Sequence, residues 1–74
     1  HRIFSESVLS MAHASNQVVI RTLSGSANAA AEMIDNLRWP EIIGTLAGDN
    51  TILMIVRSAE EVETVLKRID DMLK

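Results

Sequence analysis

The chain has 74 residues, a formal net charge of −3, no cysteine and two histidines, and 47% of it is hydrophobic. A single domain of this size buries only about 60–65% of its unfolded surface and often leans on a disulfide, a metal or a partner chain. Disulfides and cysteine-based metal sites are excluded, the histidines are too few for a histidine-rich one, and the seven basic residues are too scattered to hold nucleic acid.

Phe4 to Ala14 is mildly apolar, with Val8, Leu9, Met11 and Ala12, and reads as a first strand. Ser15-Asn16 is a turn signal, and Gln17 to Leu23, with Val18, Val19 and Ile20, reads as a second strand antiparallel to the first. Ser24-Gly25-Ser26 breaks it. The period then changes, because Ala27, Ala30, Ala31, Ile34 and Leu37 recur at helical spacing. Trp39-Pro40 should end this helix, since a residue before proline is pushed out of the α region.

Two apolar runs follow, Ile42 to Ala47 and Thr51 to Val56, with Gly48-Asp49-Asn50 between them, which is a hairpin signature. Ser58 and Glu61 have the spacing of a capping box at the head of a second helix. Val62, Val65, Leu66, Ile69, Met72 and Leu73 make its apolar stripe.

The order β-β-α-β-β-α predicts an α+β, two-layer domain, a four-stranded and mostly antiparallel sheet carrying both helices on one face. The uncovered face of such a sheet should be polar. Yet Val18-Val19-Ile20 and Ile52-Leu53-Met54-Ile55-Val56 are apolar throughout, so both faces of these strands want burial. The expected cover for the bare face is other copies of the chain.

No nucleophile elbow, zinc-protease helix, P-loop or dinucleotide fingerprint occurs. His1 is terminal, and His13 reads as a surface residue at a strand end. The methionines and Phe4 read as core or interface filler, and Trp39 as packing beneath the first helix. Gly48-Asp49-Asn50-Thr51 is, on its own, a turn. Asn28 and Asp35 project from one helix face about 10 Å apart, which on its own is a solvated face. Asn28 also lies in the first helical turn, where unpaired N–H groups can hold a carboxylate.

Three segments change this picture. Gly44-Thr45-Leu46-Ala47-Gly48-Asp49-Asn50-Thr51-Ile52-Leu53 resembles the glycine- and aspartate-bearing hairpin of bacterial arginine repressors. Arg21-Thr22-Leu23-Ser24-Gly25-Ser26-Ala27-Asn28 is similar to their loop and helix start, and Met33-Ile34-Asp35-Asn36-Leu37 to their helix end. The resemblance spans nearly the whole chain. It implies the C-terminal effector-binding and oligomerisation domain, residues 1–74. Because His1 is not a natural start, the winged-helix DNA-binding half is expected to be missing.

The resemblance implies that three such domains form a trimer, that two trimers stack into a hexamer, and that L-arginine sits at the seam as an effector. Carried over, Asn28, Asp35, Thr45 and the backbone around Ala47 contact the ligand, while the hairpin, with Asp49 as its remaining acid and Asn50 at the place of the other, faces the guanidinium, partly from a neighbouring subunit. Operator DNA is then a partner only through the missing half. No metal, cofactor or membrane is implied, and with no export signal or membrane-length apolar run the expected setting is the cytoplasm.

Two positions depart from the family pattern. Asn28 stands where a glutamine is usual, keeping the amide and losing one methylene of reach. Asn50 stands where a second aspartate is usual, and brings no charge. The runner-up reading follows from Asn50: a structural oligomerisation domain with weakened or lost arginine sensing, or a partner subunit to a sensing paralogue. An enzyme is the reading from another class, since pterin-carbinolamine dehydratases share this topology. Their sites use clustered histidines, whereas only His13 lies inside this fold.

Overall fold

The chain runs as α1 (Arg2–Ser7), β1 (Val8–Ala14), β2 (Gln17–Thr22), α2 (Ala27–Leu37), β3 (Ile42–Ala47), β4 (Thr51–Val56) and α3 (Val62–Met72), with a 3₁₀ turn at Ala59–Glu61. This is a computed structural model describing residues 2–74, with side chains from Phe4 onward. The reading of His1 therefore falls outside the described residues. The four strands form one sheet in the order β1-β2-β4-β3, and every pairing is antiparallel.

The expected first strand is correct only from Val8. Residues 4–7 belong to α1 instead, and the sheet explains why. Val8 pairs with Thr22, the last residue of β2, after which the chain turns away through Ser24 and Gly25. An extended segment before Val8 would have no strand to pair with, and its backbone groups would go unmet. Coiling satisfies them internally. Six residues are too few for a stable free helix. This one is held by Phe4, which is fully buried in the core, and by the Ser7 carbonyl, which accepts the Leu23 N–H at 2.9 Å.

One sheet face carries the core. Val18 and Ile20 from β2, and Ile52, Met54 and Val56 from β4, alternate inward and are buried. Above them lie Ala27, Ala30, Ala31 and Ile34 of α2 and Val62, Val65 and Ile69 of α3, the residues that the helical spacing selects. Alanines on α2 let its backbone approach the sheet closely, and the larger side chains of β4 fill the space below.

The other face is bare and apolar along its centre. Val19 pairs with Leu53 across β2 and β4, Leu46 of β3 pairs with Leu53 from the far side, and Ile55 pairs with Gly44. Leu46 is 73% exposed. Both edge strands carry a bulge, one at Leu9 and one at Ile43, and both residues are exposed. Bulges twist an edge out of register for further pairing.

Helix α2 stops one residue sooner than Trp39-Pro40 requires. Arg38 adopts a left-handed conformation with φ 55°, and its N–H returns to the Asp35 carbonyl at 3.3 Å. This is the helix-ending position that glycine takes without strain. Arg38 has no carboxylate partner among the described residues. Arg38→Gly should therefore raise stability by about 1 kcal/mol, a rise of roughly 4–8 °C in melting temperature. A calorimetric scan showing a lower melting temperature would mean that the Arg38 side chain holds the helix end.

The capping box does not form. The Ser58 side chain makes no cap hydrogen bond to the turn that opens α3. Glu61 is claimed by Arg57, whose Nε and Nη2 fork onto the carboxylate at 2.9 and 2.6 Å. That pair holds the Glu61 carboxyl below the ordinary glutamate range and raises the Arg57 guanidinium. A charge-assisted fork outcompetes a neutral N–H for the same oxygens.

Trp39 is half-buried against the core, and the Arg68 guanidinium of α3 lies 5.2 Å from its ring centroid. Arg68 also pairs with Glu41 at 3.2 Å. The tryptophan is thus clamped from the α3 side.

Candidate effector site between α2 and the β3–β4 hairpin

Helix α2 and strand β3 run antiparallel, and two sets of bonds fix their register. At one end, the Asp49 carbonyl accepts the Gly25 N–H at 3.0 Å and the Ala27 N–H at 3.3 Å. The Asn50 carbonyl accepts the Thr22 N–H at 2.8 Å, and Gly48 N–H closes the turn on Thr51 at 2.9 Å. The hairpin tip is therefore stitched by backbone to the end of β2 and the start of α2. Toward the other end, Thr45 Oγ1 donates to Asp35 Oδ1 at 2.9 Å. Asp35 and Thr45 are ten residues apart in sequence, and only the packing of α2 on β3 joins them.

The six sequence-selected residues fall into two groups along this seam. Asp35 and Thr45 meet directly. Asn28, Asp49 and Asn50 gather at the hairpin end, all exposed, with Ala47 half-buried on β3 between the groups. Asn28 and Asp49 make no side-chain hydrogen bond among the described residues.

The Asp35–Thr45 group opens instead on a cavity of about 370 Å³ that continues toward the end of α2, between Ile34, Arg38, Trp39 and Ile42. Arg38, Trp39, Ile42, Ile43 and Gly44 line it and were not selected from the sequence, where they read as a helix end and a strand start.

The donors and acceptors at the seam are well defined. Because Thr45 spends its proton on Oδ1, the second carboxylate oxygen of Asp35 is open to a cation. Ala27 N–H is taken by Asp49, and Ala30 N–H by Ser26 at 3.1 Å, which leaves the Asn28 and Ala29 N–H groups at the head of α2. Ser26 supplies no side-chain cap, so this helix start is open toward an anion. One more contact was not legible in the sequence: Arg21 Nη1 reaches Thr51 Oγ1 at 3.4 Å, and Thr51 donates to Asn50 Oδ1 at 2.9 Å. Only the register of β2 on β4, which sets Arg21 opposite Thr51, brings these together.

Among the described residues, no three histidine, cysteine, aspartate or glutamate side chains are placed to share a metal ion. Likewise, no described helix is long and apolar enough to cross a membrane.

Comparison with known proteins places the chain in a family. Residues 4–71 match the profile of the arginine repressor C-terminal domain. The chain is 50% identical over 72 residues to an arginine repressor of Thermoanaerobacter sp. (strain X514), covering 97% of this chain and 48% of that protein. It is 49% identical over 71 residues to the arginine repressor of Moorella thermoacetica, covering 96% and 47%. With the arginine repressor of Clostridium tetani it shares 49% identity over 72 residues, covering 97% and 47%. The chain thus spans about half the length of these relatives, which bear the name of a regulator and not of an enzyme. By profile and by identity, the chain belongs to the arginine repressor C-terminal domain family.

Proposed function

We propose that this is the effector-sensing and oligomerising domain of a transcriptional regulator of arginine metabolism. L-Arginine binds at a seam between trimers and favours the hexamer. The carrying observation is the split site. Asp35 with Thr45, and Asp49 with Asn50 and Asn28, lie in two groups along one α2–β3 seam, and the cavity beside Asp35 and Thr45 is not lined by the hairpin group. A second copy laid over the seam completes it.

The chemistry of arginine suits the two groups. Its guanidinium wants a carboxylate, which Asp49 offers. Its ammonium takes the open oxygen of Asp35 beside Thr45. Its carboxylate, on the same carbon as the ammonium, takes the Asn28 side chain and the N–H groups at the head of α2 from the second copy. Ala47 contributes its backbone between them. A ligand held by the assembled form and not by separate halves shifts assembly by mass action.

The bare sheet face supports the oligomer. Val19, Leu46, Leu53 and Ile55 form an apolar strip that other copies would cover to build the trimer. Operator DNA falls to a winged-helix domain outside this chain, and the setting is the cytoplasm. The domain should sediment as an oligomer at micromolar concentration, and L-arginine should shift it toward six copies. Calorimetry run beside sedimentation tests both. A stable monomer would overturn the oligomer, and absence of heat with arginine would overturn the effector site.

Asn50 favours a second reading, a structural oligomerisation domain with weakened sensing, acting alone or beside a sensing paralogue. Oligomers that ignore arginine at millimolar concentration would select it.

A further inference from the structure

The hairpin tip has a donor and acceptor polarity that is set from outside it. Arg21 on β2 stands opposite Thr51 in the sheet register. Its Nη1 donates to Thr51 Oγ1 at 3.4 Å, and that hydroxyl donates to Asn50 Oδ1 at 2.9 Å. A guanidinium has donors only, so Thr51 must accept from Arg21 and keeps its proton for Asn50. Asn50 answers with its carbonyl oxygen. Its amide nitrogen becomes the free end, a donor at the hairpin tip, one residue from Asp49. Arg21 itself has no carboxylate within 4.0 Å among the described residues, so its charge is not offset there.

We propose that Arg21 is a specificity-determining residue of the hairpin, which it suits to a neutral ureido side chain as well as to a guanidinium. The inference rests on the ligand seam described above. A guanidinium finds its acceptor in Asp49 but meets the Asn50 amide donor against donor, with the Arg21 charge nearby. A ureido group donates its N–H to Asp49 and accepts at its carbonyl from Asn50. It forgoes the stronger charge-assisted bond and gains a second, matched one. The two losses offset each other, and discrimination between the classes becomes small.

L-Citrulline is the probe, titrated beside L-arginine by calorimetry at equal ionic strength. The parent should bind the two within about tenfold of each other. Arg21→Glu reverses the relay: Thr51 gives its proton to the new carboxylate and accepts from the Asn50 amide, which turns Oδ1 outward. The ratio should then move toward arginine by about tenfold or more. Arg21→Lys keeps donor and charge and should leave the ratio where it was. Asn50→Asp sets a second acceptor against the ureido carbonyl and should move the ratio toward arginine as well.

Arg21 is exposed in the single subunit, so its variants should keep the parent's fold. Equal weakening of both ligands in Arg21→Glu would mean a merely structural role and overturn the proposal. Arginine bound with citrulline refused by more than about a hundredfold would overturn it and leave the arginine reading standing. Citrulline bound without arginine, or heat from neither, would overturn both the proposal and that reading.

Discussion

Phe4→Ala should remove most of the stability of this domain, about 3–5 kcal/mol. Phe4 is the sole phenylalanine of the chain, fully buried among α2, α3 and the covered sheet face. Its removal leaves a large void in a core of some thirteen buried residues, most of them alanine, valine and isoleucine, which cannot spread to fill it. It also frees α1, since a six-residue helix has little stability of its own. Small domains have total stabilities of the order of 5 kcal/mol, so the variant should be largely unfolded at 37 °C unless association rescues it. Urea melts at several protein concentrations would separate the two cases. A loss below about 1 kcal/mol would mean that α1 is not part of the folded core.

That residue also marks where sequence reading reached its limit. The segments with a strong period were legible: the alanine spacing of α2, the apolar stripe of α3, and the hairpin runs 42–47 and 51–56 on either side of Gly48. Phe4 to Ser7 carries no period. Its helical state is decided by the end of β2, a tertiary fact. The capping box failed for a similar reason, because Arg57 competes for Glu61 and motif spacing does not weigh competitors.

At the seam, helical spacing set Asn28 and Asp35 on one face and turn chemistry marked Asp49 and Asn50, but only the resemblance to a family made ligand contacts of these four and added Thr45 and Ala47. The Asp35–Thr45 bond and the Arg21–Thr51–Asn50 relay depend on which strands lie side by side and in what register. A shift of one residue would turn Arg21 to the other face and dissolve the relay. The apolar bare face was legible because Val19, Leu53 and Ile55 interrupt the alternation that a solvated face requires.

Asp49→Asn should abolish the response to L-arginine. Asp49 is the one carboxylate on the hairpin tip, and the side-chain carbonyl of Asn50 is taken by Thr51. Replacing the carboxylate removes a charge-assisted hydrogen bond to the guanidinium, about 1.5–3 kcal/mol. That corresponds to a roughly ten- to hundredfold loss of affinity. The fold should be spared, because Asp49 serves the hairpin through its carbonyl, which accepts from Gly25 and Ala27 whatever the side chain. Melting temperature without ligand should therefore stay level, while the rise that arginine causes by mass action disappears. A ureido ligand should lose less, since its N–H needs an acceptor and an amide oxygen still provides one. If the variant binds arginine as tightly as the parent does, the guanidinium lies elsewhere on the seam, and the cavity beside Asp35 and Arg38 is the next place to look.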